Sequence, residues 1–243
     1  FNVQVIDPSD GVPRYPWLTS WMDCRTRKFA GRCISFQPNS DTILFALRDG
    51  ILKAGVPMGI YTDNGKDYRC RDVAGGRGQG SRKIRIEPDE PRIRSAAAVL
   101  GMETHFAIPY NAQAKPVEPW HRRLGEQFDR QFDSYRGRNP ADRPEEHAER
   151  VAALAASGEI PELSTFVAAF DSWLEGDYHN RSHQGSGIDG LSPNECWERF
   201  AGVVTAIRRV SDDELRLCLM RTTKAYIVQR NGIAPFGRDK WWH

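Results

Sequence analysis

The order in which hydrophobic periodicities change along the first 63 residues constrains the fold most. Residues 1–7 (FNVQVID) alternate apolar and polar side chains with the period of two that a half-buried strand needs. The following PSDGVPRYP is dense in Pro, Gly, Asp and Ser and reads as a turn, with Asp7 and Asp10 as turn residues. Residues 17–23 (WLTSWMD) and 28–36 (KFAGRCISF) read as two further strands, and the short CRTR link predicts an antiparallel meander. At Ser40, read as a helix cap, the period changes. Ile43, Leu44, Leu47, Ile51 and Leu52 fall on one helical stripe, which Gly55 and Pro57 end. MGIYTD is again a short strand, with Asp63 at its tip.

The rest continues in the same α/β manner. Residues 72–80 (DVAGGRGQG) form a Gly-rich basic loop without the GxxxxGK[ST] spacing of a phosphate-binding loop. A helix is expected over 92–100, a strand over 103–108, and a helix opened by Pro116 that runs towards Phe132. RGRNPADRPEE is a polar loop. Leu163, Phe166, Val167, Phe170 and Leu174 mark a strongly amphipathic helix, and Ser192-Pro193 starts another through Trp197 and Phe200. From about Val204 the pattern changes to short strand-like pieces, LRLCLM and AYIVQR among them. This predicts one domain over 1–203 and the start of a second over 204–243. A meander followed by alternating helices and strands fits a mixed sheet flanked by helices, as in an RNase H-like core, although other α/β folds share that order.

Composition narrows the function classes. The chain is 40% hydrophobic and 27% charged, as soluble globular proteins are. No apolar run approaches the roughly 18 residues of a membrane span. The five cysteines form no CxxC pair, which argues against a disulfide framework or a zinc site and fits a reducing, cytosolic setting. The net charge of +2 hides two basic zones. Residues 66–94 hold nine Lys/Arg against five Asp/Glu, and 206–243 hold eight against four, a distribution suited to a polyanion such as DNA.

Three segments carry the chemistry. Tyr61-Thr62-Asp63-Asn64-Gly65 puts an acid at the end of a central strand, although Asp-Asn-Gly is also ordinary turn chemistry. Gln113-Ala114-Lys115-Pro116-Val117-Glu118 puts Glu118 in the first turn of a helix. If that helix holds through Pro119, Arg122 shares the face of Glu118. Tyr178-His179-Asn180-Arg181-Ser182-His183, followed by Gly190-Leu191-Ser192-Pro193, could suggest a metal site, but no further ligand is paired with it by spacing.

Together these segments resemble the DDE transposase and retroviral integrase superfamily, most closely its bacteriophage Mu transposase group. TDNG is similar to the middle acid motif, QAKPVE to the final-acid motif, YHNRSHQG with LSPNE to the late helix and turn, and WMDCRTRKFAGR to the second and third strands. The resemblance covers about residues 1–200, and the stretch 208–242 looks like the opening of the family's C-terminal β-barrel. It implies an RNase H-like, retroviral integrase-like core and a metal-dependent reaction that cuts DNA ends and joins them to target DNA. It implies two Mg²⁺ or Mn²⁺ ions held by carboxylates, with Asp63 and Glu118 as the second and third acids. Lys115 would meet a phosphate near the scissile bond, and Lys66, Arg82, Lys83 and Arg122 would contact DNA. It further implies a homo-oligomer on paired DNA ends, no membrane, and a cytoplasmic, nucleoid-associated place of work for a bacterial or phage-encoded protein.

The family's first acid belongs to an Asp-Gly motif on the first strand, and the strand here opens at Phe1, past that motif. The expectation is therefore that this acid is missing from the chain. Asp23, 40 residues before Asp63, matches a second-strand position and is a possible near-site acid whose simpler role is to shape the turn. Two other readings stand beside the transposase: an RNase H-like nuclease that cuts without joining, and a domesticated or truncated regulator that binds DNA without cutting. An Asp-Gly motif just upstream would favour the enzyme.

Overall fold

The computed structural model describes residues 1–62, 95–106, 117–138, 143, 145–184, 187–201, 203 and 207–219, with the backbone alone for 117, 118, 201 and 217–219. Six strands and seven α-helices lie among them. The strands are β1 (Val5–Ile6), β2 (Pro13–Arg14), β3 (Trp17–Met22), β4 (Phe29–Ser35), β5 (Gly59–Thr62) and β6 (Glu103–Phe106). The helices are α1 (Ser40–Ala54), α2 (Ala96–Val99), α3 (Val117–Gln127), α4 (His147–Ser157), α5 (Leu163–Trp173), α6 (Pro193–Ala201) and α7 (Asp212–Leu219). This is a mixed α/β architecture compatible with an RNase H-like domain. The described strands pair two by two: β1 with β2 and β3 with β4 antiparallel, β5 with β6 parallel.

The β3–β4 hairpin is the organising layer. Thr19, Trp21 and Gly31 face α1: the Thr19 and Thr42 hydroxyls lie 3.2 Å apart, and the Trp21 indole N–H donates to the Ile43 carbonyl. Leu18 and Ile34 are cross-strand partners on the opposite face. Trp21 pairs with Gly31 but Met22 pairs with Phe29, which leaves Ala30 as the extra residue of a bulge. Without the bulge, Phe29 would share the α1 face with Gly31. With it, Phe29 joins the other face, where an aromatic core gathers Val3, Val5, Trp120, Leu124, Phe128, Phe166, Phe170 and Tyr178. On the α1 side, Leu47, Ile51, Ile60, Leu100, Met102 and Leu215 form a second cluster.

Several expected elements differ in detail. Asn39, not Ser40, caps α1: its side-chain oxygen accepts the Asp41 and Thr42 N–H groups, and the Thr42 hydroxyl completes a capping box. Leu52 of the expected stripe is exposed, whereas Ile43, Leu44, Leu47 and Ile51 are buried. Gly55 ends the helix as expected, at φ 95°. The expected first strand forms a ladder only at Val5–Ile6, because earlier backbone groups bond elsewhere. The Asn2 N–H donates to the Asp129 carboxylate and the Gln4 N–H to the Ser134 hydroxyl. Within the expected turn, Pro13–Arg14 comes back to pair with β1, while Asp7 accepts the Ser9 N–H and hydroxyl and binds Arg14.

The strand-like reading of LRLCLM is corrected: residues 215–219 belong to α7. Ser211 and Glu214 cap that helix reciprocally, and Leu215 is fully buried against α1, β5 and α2. Residues 220–243, on which most of the expected barrel falls, lie outside the described residues. No helix among the described residues is long and apolar enough to cross a membrane.

Candidate active site

The helix that carries Glu118 is built from the inside out. Trp120, Leu124 and Phe128 recur every four residues, so they line one face of α3 and of the residue that follows it, whose N–H still bonds the Leu124 carbonyl, and all three are buried. Trp120 packs 4.2 Å from Phe29 and edge-on to Tyr178, while Phe128 meets Phe166, Phe170 and Trp173. The helix runs through Pro119, which sits in the first turn where the missing N–H has no helical partner. Arg122 is exposed on α3, its Nε 3.9 Å from Glu126. The Glu118 side chain is not among the described atoms.

Asp63 directly follows Thr62, the last residue of β5, and itself lies outside the described residues, as do Lys66, Arg82, Lys83 and Lys115. Thr62 pairs with Phe106, the last described pair of the parallel strands β5 and β6. Asp23 closes the β3–β4 turn: one carboxylate oxygen accepts the Arg25 N–H, the Thr26 N–H and the Thr26 hydroxyl. That is the turn-shaping role. Of the second basic zone, Arg208 donates to the Leu100 carbonyl and Arg209 to the Leu52 and Lys53 carbonyls, so both tie down helix C-termini. Arg216 pairs with Asp212.

The late His-Asn-Arg-x-His segment is a brace. Leu174–Tyr178 widens into a π-helical turn after α5, closed by the His179 N–H on the Leu174 carbonyl. The two consecutive residues Tyr178 and His179 are both buried there. His179 Nε2 accepts the Phe29 N–H at 3.1 Å, so its proton is on Nδ1, which donates to Glu175. His183 Nδ1 accepts from Arg123 Nη1 at 2.7 Å, so Nε2 carries the proton and donates to the Tyr178 carbonyl. The Tyr178 hydroxyl donates to the Arg27 carbonyl in the β3–β4 turn. Burial holds both imidazoles below the usual histidine range, and hence neutral. Each ring nitrogen already has a partner, which explains the segment without a metal.

Sequence reasoning missed these roles. The only readable signal was two histidines spaced by three residues beside aromatic and small residues; Arg123, 60 residues away, gave none.

A family model for bacteriophage Mu transposase matches residues 1–181. The chain belongs to the bacteriophage Mu transposase family. Among characterised proteins, this Mu-type chain is 29% identical over 229 residues to the Mu-like prophage FluMu transposase A of Haemophilus influenzae. The match covers 90% of the chain and 32% of the relative, so the chain spans about a third of that protein's length. The Mu family match takes in α3, the π-turn and the segment through His179; α6 and α7 lie beyond it.

Proposed function

We propose that this chain is the catalytic core of a DNA transposase that cuts DNA ends and joins them to target DNA, with Asp63 and Glu118 as metal-binding acids. Family membership supports the reaction class. The carrying observation is the framing of the two acids: one immediately follows a strand of a parallel pair, and the other rides in the first turn of a helix locked into an aromatic core. In open α/β sheets, ligands bind beyond the carboxyl ends of parallel strands.

The donor chemistry fits the implied ions. Carboxylate oxygens suit Mg²⁺ or Mn²⁺, and both ring nitrogens of His179 and of His183 are taken up by other partners. Bound ions would polarise the attacking and leaving oxygens of an in-line displacement at phosphorus. Asp63 and Glu118 would hold them, and Lys115 would fix a phosphate near the scissile bond. Lys66, Arg82, Lys83 and Arg122 would contact the DNA backbone. Asp23 has no place in this scheme, because its carboxylate shapes a turn. We read the domain as an RNase H-like core over 1–203, against which α7 also packs, followed by a barrel domain, working as a multimer on paired DNA ends at the nucleoid. Changing Asp63→Asn or Glu118→Gln in the intact protein should abolish metal-dependent cleavage and joining while DNA binding persists. Near-normal joining by either variant contradicts the assignment.

A further inference from the structure

We infer that His183 is a positioning residue for the reaction: through its hydrogen bond to Arg123 it sets the rotation and height of α3, and so the place of the Glu118 carboxylate. This rests on the reading of Glu118 as a metal ligand.

Directional and non-directional contacts hold α3 in different ways. Trp120, Leu124 and Phe128 bury the inner face of α3, which fixes how deep the helix lies. Apolar packing alone leaves small slides and rotations cheap. The Arg123–His183 bond removes that freedom, because both ends are held. Arg123 follows Trp120 by one turn on the same side of α3, and its guanidinium reaches His183 Nδ1 at 2.7 Å. His183 cannot follow the helix. Its Nε2–H is committed to the Tyr178 carbonyl, its backbone N–H donates to the Leu191 carbonyl at 3.1 Å, and its ring lies edge-on to Tyr178 at 4.7 Å. Tyr178 is in turn tied to Arg27 by its hydroxyl and packed on Phe29 and Trp120. The brace thus runs from the β3–β4 turn through Tyr178 and His183 to α3. Among the described residues Arg123 meets no carboxylate within 4 Å, so a neutral imidazole is its partner. Glu118 lies five residues before Arg123, about 7.5 Å along the helix axis. Catalytic groups tolerate roughly 0.5 Å of misplacement, so a loosened helix would weaken metal binding before it unfolded the protein.

The test uses the intact protein on DNA and two readouts: the rate of Mg²⁺-dependent nicking, and Mn²⁺ affinity followed by the EPR signal of the free ion. His183→Leu removes both ring bonds. It should lower the nicking rate at least tenfold, raise the half-saturating metal concentration several-fold and leave DNA affinity unchanged. His183→Gln, whose amide can accept from Arg123 and donate to Tyr178, should restore most of both. Should the leucine variant unfold, Arg123→Gln cuts the same bond from its partly exposed end and should give the same rise in metal requirement. If these variants bind Mn²⁺ as the parent does, or lose activity only in proportion to the fraction unfolded, the positioning role is wrong. Glu118→Gln run beside them separates the two failures. A dead Glu118→Gln with unchanged metal affinity in the His183 and Arg123 variants sinks only this inference. An active Glu118→Gln sinks the assignment of the acid beneath it.

Discussion

The Trp120 indole lies 4.2 Å from the ring of Phe29, centroid to centroid, and this contact joins the helix that carries Glu118 to the central hairpin. It exists because the bulge opposite Trp21 and Met22 turns Phe29 to the α3 side of β4. Trp120→Ala should cost about 3–5 kcal/mol in urea unfolding, as large-to-small changes of buried aromatics do. Trp120→Phe should recover most of it. A loss below about 1 kcal/mol would show that α3 is not anchored there.

Gly31 is required where α1 crosses β4. A Cβ at Gly31 would sit 2.1 Å from the Ala46 carbonyl oxygen and 2.2 Å from the Gly50 nitrogen, both backbone atoms that cannot rotate away. Gly31→Ala should therefore destabilise at or beyond the upper end of the ~1–3 kcal/mol of ordinary overpacking. Thermal unfolding checks it; an unchanged midpoint would mean the crossing is looser than described.

The hairpin, α1 and α5 were legible because each carries a local pattern: period two in WLTSWM, the stripe of Ile43, Leu44, Leu47 and Ile51, and Phe166 and Phe170 one turn apart. β5 and β6 were legible as strands, but their parallel pairing was not. α7 was misread because Leu215, Leu217 and Leu219 alternate like a strand, and a short apolar run does not separate the two periods. The signal that decides it is the Ser211-x-x-Glu214 capping box. The motifs around Asp63 and Glu118 were readable as local strings. The brace was not, since Arg123 and His183 meet only through the fold.

Asp129 gives a pH dependence with a defined sign. Burial pushes its carboxyl up to about 6, against the Asn2 N–H and Arg136, which favour the charged form. Between its ordinary value of 3.8 and about 6, the folded chain keeps a proton that the unfolded chain has released. Its contribution to stability is therefore full below pH 3.8, falls as pH rises through 6 and is flat above. Asp129→Asn removes this term while keeping an acceptor for Asn2. Relative to the parent, the variant should gain up to about 3 kcal/mol between pH 4 and pH 7. A difference independent of pH contradicts the buried-acid account.

Asp23→Asn separates a turn residue from a catalytic one. The amide oxygen can accept the same Arg25 and Thr26 bonds, so stability should change by less than about 1 kcal/mol. Nicking should stay near the parent rate. Loss of nicking in a folded variant would make Asp23 a metal ligand.

Metal-dependent nicking and joining on a pre-assembled DNA complex of the intact protein tests the central claim most directly, comparing the parent with Asp63→Asn and Glu118→Gln. The account predicts that each variant assembles on DNA with near-parent affinity and neither nicks nor joins at any Mg²⁺ concentration. Efficient nicking by either variant, or a parent that binds DNA but never cuts it, would contradict the account.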